Sequence, residues 1–148
     1  MKAAEKLYDE DFYVWTQTNA RLLRGGKLAE ADLKNIAREI ADMGKNNRRE
    51  IESRFGVLVG HLLKWQFQPA ERSSSWEATI RIQRIELHSA LRQMPSLKRF
   101  LATKVPGLYP LAVAVAVRDT GKRANAFPAA CPYTVAQILD ESFFPEGD

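Results

Sequence analysis

The sequence contains a single cysteine, Cys131, in 148 residues, so no disulfide can form within the chain. A reducing cytoplasm is the simplest location for such a protein, and we expect it there. No hydrophobic run approaches the roughly 20 residues that a membrane span needs, and the N-terminal segment MKAAEKLYDEDF lacks the apolar core of a signal peptide. These shortages argue against a secreted protein and against a membrane protein.

The composition that remains is that of an ordinary soluble globular protein, with 45% hydrophobic and 27% charged residues. The length suits one domain over residues 1–148. The net charge of +4 is concentrated between Lys45 and Lys104, where twelve Lys and Arg face five Asp and Glu. A basic middle can meet phosphate or an acidic partner, but most such charges only solvate helix faces. The candidate basic surface consists of Arg48, Arg49, Arg72, Arg81 and Arg84, with Arg54 beside them.

Hydrophobic spacing predicts an all-α helical bundle. The first helix is predicted over 9–24, with Asp9 as N-cap, and Gly25-Gly26 ends it. The next segment, 29–68, carries apolar residues at steps of three or four: Leu33, Ile36, Ile40, Met43, Ile51, Phe55, Leu58, Leu62 and Trp65. The stripe keeps its phase across one gap, so we predict one long helix or two nearly collinear ones.

This segment contains three glycines, Gly44, Gly56 and Gly60. Each destabilises a helix by about 1 kcal/mol relative to alanine, which argues against the predicted long helix. A helix is predicted over 74–94, because Ser74 and Glu77 have capping-box spacing. Its residues Ile82 and Ile85 point away from the main apolar face, which indicates a second packing surface, either within the chain or in a dimer.

The C-terminal part is predicted to hold shorter helices over 96–104, 110–121 and 134–141. The alternation of valine and alanine over 113–117 also fits a buried strand, but the alanines and the lack of a partner strand favour a helix. Thr134 and Gln137 form a second candidate capping box.

Five segments in this order and spacing resemble the bacterial family called domain of unknown function 29: LYDEDFYVWTQ, ADLKNIAREI, HLLKWQFQP, SSSWEATIRIQR and FPAACPYTVAQILD. The likeness covers the chain from Leu7 to about Pro145. It implies a small all-α protein of bacterial type and no particular activity. The family often has two adjacent acids in the second helix, where this chain has Arg38-Glu39.

Three amides, Asn19, Asn47 and Gln83, occupy positions on the apolar stripes. A buried amide without partners costs roughly 1–3 kcal/mol, so these side chains should be bonded. They belong either to a structural network that fixes helix register or to a polar pocket that also gathers Glu39, Arg54 and His61.

His61 and Lys64 lie three residues apart on the long helix. The helical angles place His61 at the margin of the stripe, buried and hydrogen-bonded, and Lys64 a further 60° or so away in solvent. The two therefore make a poor catalytic pair. Cys131 has no base near it in sequence, the two histidines lie on different helices, and we expect no metal and no cofactor.

The sequence does not identify an activity, and three hypotheses remain. The first is a non-enzymatic module that binds a protein partner or forms a homodimer. The second is a nucleic-acid-associated protein that uses the basic middle, although Trp65 and Trp76 lie on faces predicted to be buried. The third is an enzyme whose polar pocket lies around His61.

Overall fold

The computed structural model describes residues 1–147, and within them it contains helices and no strand. The α-helices are α1 (Ala3–Glu10), α2 (Phe12–Arg24), α3 (Leu33–Phe67), α4 (Ser74–Gln93), α5 (Ser96–Thr120) and α6 (Val135–Leu139), with 3-10 turns at Pro69–Glu71 and Ala124–Ala126. The all-α prediction is confirmed, and so is the continuous long helix, because α3 runs unbroken through 44–47.

The chain forms two compact units, Met1–Asn47 and Arg48–Asp148. We call them the N-terminal unit and the C-terminal unit. The first four turns of α3 belong to the N-terminal unit, and the remainder belongs to the C-terminal unit. The expectation of one domain stays a prediction.

The N-terminal unit differs from the single helix predicted over 9–24. The structure has two helices there, because Asp11 rather than Asp9 is the N-cap of α2 and its carboxylate accepts the N–H of Val14 at 3.0 Å. Helix α1 precedes it and was not predicted. The core of this unit is thin: the apolar residues it buries are Ala4, Trp15 and Ala31.

The C-terminal unit holds the main core. Helix α3 contributes one continuous face, and α4, α5 and the C-terminal segment close over it. The buried apolar residues of this core are Ile51, Phe55, Leu58, Val59, Leu62, Leu63, Ile80, Leu87, Leu91, Leu101, Tyr109, Ala112, Ala116, Phe127, Tyr133, Ile138 and Leu139. In the second half of the predicted stripe, Ile51, Phe55, Leu58 and Leu62 are therefore buried as expected, and Trp65 is partly buried.

Helix α5 replaces the two separate helices predicted over 96–104 and 110–121, and the strand alternative for 113–117 is wrong. Pro106 and Pro110 lie inside it. Each proline removes a backbone donor, and the helix continues because Tyr109, Ala112 and Ala116 are packed in the core. Helix α5 is long enough and apolar enough to cross a membrane, judged by length and composition alone. The core helices of soluble proteins meet the same two criteria.

Helices α3 and α5 run in the same direction with a constant offset of 55 residues. A Cβ added to Gly56 would meet Leu111, and one added to Gly60 would meet Val115. One turn further, Lys64 contacts Asp119, and Lys122 then donates to the carbonyl of Phe67. The two glycines thus permit the close approach that fixes this register.

Candidate functional site

The ammonium of Lys64 is buried in the C-terminal unit, where side chains from three helices surround it. Lys64 is 2% exposed, and its Nζ lies 2.7 Å from Oδ2 of Asp119 on α5. The same nitrogen lies 4.5 Å from the centre of the Trp76 ring on α4. It also lies 3.3 Å from Nε2 of His61, one turn earlier on α3. We call Lys64, His61, Asp119 and Trp76 the Lys64 cluster.

The prediction that Lys64 reaches solvent is wrong. The angular separation on which we judged His61 and Lys64 a poor catalytic pair does not keep them apart, because Nζ of Lys64 lies 3.3 Å from Nε2 of His61. The apolar stripe marks only one buried face of α3. Gly56, Gly60 and Lys64 lie in a row on a second buried face, against α5. Sequence periodicity missed that face because two of its three members have no side chain.

The prediction that His61 is buried and bonded is confirmed. Its Nδ1 donates to the carbonyl of Val57 at 2.8 Å, since a carbonyl can only accept. This bond assigns the proton of the neutral ring to Nδ1, so Nε2 accepts from Lys64. Burial lowers the pKa of His61, and the nearby Lys64 ammonium lowers it as well.

The Asp119 carboxylate stays ionised under the same contacts. Hydrogen bonds from Arg118 and then from Lys64 lower the pKa of Asp119 to about 2, against the opposing effect of burial. Every member of the Lys64 cluster is therefore engaged by another. Glu71, Gln68 and Thr120 line a depression of about 300 Å³ beside Trp76 and Asp119.

The protein should lose stability as the pH falls through about 6.5. The unfolded chain protonates His61 near pH 6.5, whereas the folded chain, in which that pKa is lowered, resists protonation. The unfolded state therefore binds more protons in this window, and acidification stabilises it relative to the folded state. Urea unfolding at pH 8.0, 7.0, 6.0 and 5.0 measures the effect. The variant His61→Gln should flatten the curve between pH 7 and 5, and an unchanged slope in that variant would assign the loss to other groups.

The three amides differ in their surroundings. Asn19 is buried in the N-terminal unit, where its Oδ1 accepts the N–H of Asp32 at 2.8 Å and its Nδ2 donates to the carbonyl of Trp15 at 3.0 Å. Asn47 is exposed. Gln83 accepts from Arg54 at 3.3 Å within the C-terminal unit. Asn19 is thus bonded to the backbone, as expected if the amides have a structural role and do not line a polar pocket.

Other residues expected in a polar pocket around His61 have partners within their own units. Glu39, in the N-terminal unit, accepts the hydroxyl of Tyr8. Arg54 is bonded to Glu50 at 3.0 Å as well as to Gln83. His61 instead contacts Lys64, and Lys64 in turn pairs with Asp119, which lies 55 residues further along the chain.

Most arginines of the predicted basic surface are engaged by other groups of the chain. Arg48 pairs with Glu52, and Arg81 pairs with Glu77 at 2.8 Å. Arg72 lies over the Trp65 ring and donates to the Trp65 carbonyl. Arg84 is not on the surface at all: it is 1% exposed, and its Nε donates to the carbonyl of Ile138 at 2.8 Å. Arg49 is exposed.

Exposed apolar side chains are concentrated in the N-terminal unit. Nine of the twelve large hydrophobic residues exposed in the described chain belong to it: Met1, Phe12, Tyr13, Val14, Leu23, Leu28, Leu33, Ile40 and Met43. The first half of the predicted stripe was expected in a core, and that expectation is wrong, because Ile40 is 63% and Met43 is 64% exposed. We call Leu33, Ile40 and Met43 the exposed stripe.

A groove opens between α4, α5 and α6 in the C-terminal unit. Its volume is about 820 Å³. The side chains that line it come from the end of α4, the turn that follows, the start of α5, and α6 with the residue after it: His88, Leu91, Arg92, Pro95, Lys98, Arg99, Ala102, Val135, Ala136, Leu139 and Asp140. We call it the α4–α5–α6 groove.

Comparison with known proteins gives one match. The family model described as Domain of unknown function DUF29 matches residues 7–144. No curated protein matches the chain. No solved structure matches it either.

Proposed function

The chain belongs to the DUF29 family, and from its own surfaces we propose that it is a non-enzymatic protein-interaction module that pairs with a second copy of itself through the exposed stripe of its N-terminal unit. The observation that carries this proposal is the mismatch within that unit between a thin core and a large exposed apolar surface.

A folded unit of this size ordinarily buries too little apolar surface to be stable by itself. Association with another chain is a common way to bury more of that surface. The exposed stripe follows the helical repeat on α3, as a helix-packing face does. Gly44 borders it, and a Cβ added there would meet nothing within 4 Å, so another helix has room to approach.

A second copy is the occupant that the stripe itself supplies. In a two-fold pairing the same patch lies on both sides of the interface, so apolar side chains meet apolar side chains. The stripe covers about three helical turns, and an interface of this extent suits a reversible, micromolar dimer.

The two other hypotheses have less support. Most of the arginines that would contact nucleic acid are paired with carboxylates, stacked on a ring or buried. An enzyme around His61 would need groups free to act on a substrate, whereas His61, Lys64 and Asp119 are bonded to one another. The location in the cytoplasm remains part of the proposal.

Sedimentation equilibrium of the full chain tests the pairing. Wild-type protein should dimerise with a micromolar dissociation constant, and Ile40→Glu/Met43→Glu should raise that constant at least tenfold. Each lost apolar contact is worth roughly 1.5–3 kcal/mol, and 1.4 kcal/mol corresponds to a factor of ten.

The matched control is Ile82→Glu/Ile85→Glu, which places the same charges three residues apart on α4 at side chains that are 53% and 60% exposed. Ile82 and Ile85 form the second packing surface that the sequence indicated, so this variant also tests whether that surface dimerises. Because the proposal assigns pairing to the exposed stripe, the dissociation constant should stay unchanged. A wild-type chain that stays monomeric at high concentration, or an equal effect of both double variants, would refute the proposal.

A further inference from the structure

We propose that the α4–α5–α6 groove is a second binding site, which takes an acidic, aliphatic segment of a partner protein. It lies in the C-terminal unit and uses none of the residues of the exposed stripe, so it is independent of the pairing proposed above.

The floor of the groove is apolar. Leu91 and Leu139, which are 7% and 6% exposed, form its base, and Pro95, Ala102 and Val135 extend it. A volume of about 820 Å³ is within the range of pockets that hold a compact ligand or a few side chains. Aliphatic side chains of a bound segment would be removed from water there.

The rim of the groove is positively charged. Arg92 lies in the last turn of α4, and Lys98 and Arg99 lie in the first turn of α5. Among the described residues none of the three cations has an ion-pair partner, whereas Arg48, Arg54 and Arg81 each have one. Arginine forks bind carboxylates through two parallel hydrogen bonds, so an acidic segment is the complementary occupant.

One acid, Asp140, lines the groove from the α6 side. Its carboxylate accepts the backbone N–H and the hydroxyl of Ser142 at 2.9 and 2.8 Å, and these bonds lower its pKa. Asp140 therefore remains negative and repels acidic groups from its own side. The partner's carboxylates should accordingly lie towards α5, which orients the bound segment.

The backbone of α5 offers a further contact. Pro106 has no N–H, so the carbonyl of Ala102, four residues earlier and in the groove wall, lacks its usual helical donor. A peptide N–H can supply that hydrogen bond, whereas a phosphate cannot. Among the described residues that line the groove there is no Phe, Tyr or Trp, and the ring of His88 is hydrogen-bonded to the carbonyl of Leu139 at 2.6 Å. The groove therefore offers single-stranded nucleic acid a poor stacking platform, which favours a protein segment.

Fluorescence anisotropy with labelled synthetic peptides tests the proposal on the full chain. The probe is an 18-residue peptide of alternating leucine and glutamate pairs. One comparison peptide replaces each glutamate with lysine, and another replaces each leucine with serine. The acidic aliphatic peptide should bind, and each comparison peptide should bind at least tenfold more weakly.

Two charge-matched variants locate the site. Arg92→Glu/Arg99→Glu should weaken binding of the acidic peptide at least tenfold. Arg49→Glu/Arg123→Glu makes the same change of net charge at exposed residues outside the groove and should alter binding less than twofold. Circular dichroism confirms that both variants are folded, and neither changes the exposed stripe.

Three results would overturn the proposal: no binding of the acidic peptide, an equal loss in both double variants, or tighter binding of a single-stranded oligonucleotide of equal charge. The first would leave no site of this chemistry. The second would mean that the peptide is attracted by the net charge of the protein and not by the groove. The third would assign the groove to nucleic acid.

Discussion

Replacing Asp119 with alanine should lower the free energy of unfolding by about 3 kcal/mol, the usual result of removing one partner from a buried ion pair. Lys64 is 2% exposed and would lose the carboxylate that its ammonium contacts at 2.7 Å. His61 and the Trp76 ring would remain as neighbours, and neither carries a compensating negative charge in its buried form. Urea unfolding followed by far-UV circular dichroism at pH 7.5 measures the loss.

The reverse truncation should cost less, because the Asp119 side chain is 25% exposed and pairs with Arg118 as well. Lys64→Met removes the buried charge, and Lys64→Met/Asp119→Ala should recover most of the loss caused by Asp119→Ala alone. Glu77→Ala is the control, since it breaks an exposed pair and should cost no more than about 1 kcal/mol. A loss below 1 kcal/mol for Asp119→Ala would mean that the pair does not stabilise the fold.

Replacing Gly60 with alanine should destabilise the protein by about 2 kcal/mol, although alanine is the better helix former. An added Cβ would lie 2.8 Å from Cβ of Val115 and 2.9 Å from the carbonyl oxygen of Ala112. The oxygen belongs to the backbone of α5, so relief requires the two helices to separate. The same urea experiment measures the effect.

Gly44 provides the matched control on the same helix, because a Cβ there would meet nothing within 4 Å. Gly44→Ala should stabilise the protein by about 0.5–1 kcal/mol through helix propensity alone. If both substitutions stabilise the protein, then α3 and α5 do not meet at the distance described.

Local signals in the sequence determined much of this protein. The steps of three and four residues predicted the long helix, and α3 runs from Leu33 to Phe67. Thr134 and Gln137 form the capping box that their spacing indicated. Some helices begin at a different residue from the one predicted, and there a nearby residue of the same type is the N-cap. In α4, for example, the N-cap is Ser73 and not Ser74. These features depend on residues within one turn of each other, so the sequence carries them directly.

Long-range packing decided the rest. Periodicity showed that Ile40 and Leu58 share a face of α3, but it could not show that one would be 63% exposed and the other 0%. That difference depends on which other helices lie alongside each half of α3. The sequence predicts separate helices over 96–104 and 110–121, and the structure joins them into α5. Packing of Tyr109, Ala112 and Ala116 in the core outweighs the helix-propensity penalty of Pro106 and Pro110.

The Lys64 cluster shows the same division most clearly. Lys64 does lie outside the apolar stripe of α3. It is nevertheless buried, because it belongs to a second face whose glycines do not register as apolar residues in a hydrophobic pattern. Only the tertiary structure, in which Gly56 and Gly60 admit α5, brings Asp119 to Lys64 and makes that second face of α3 an interior one. The energy of that contact depends on residues 55 positions apart, and no local pattern in the sequence records it.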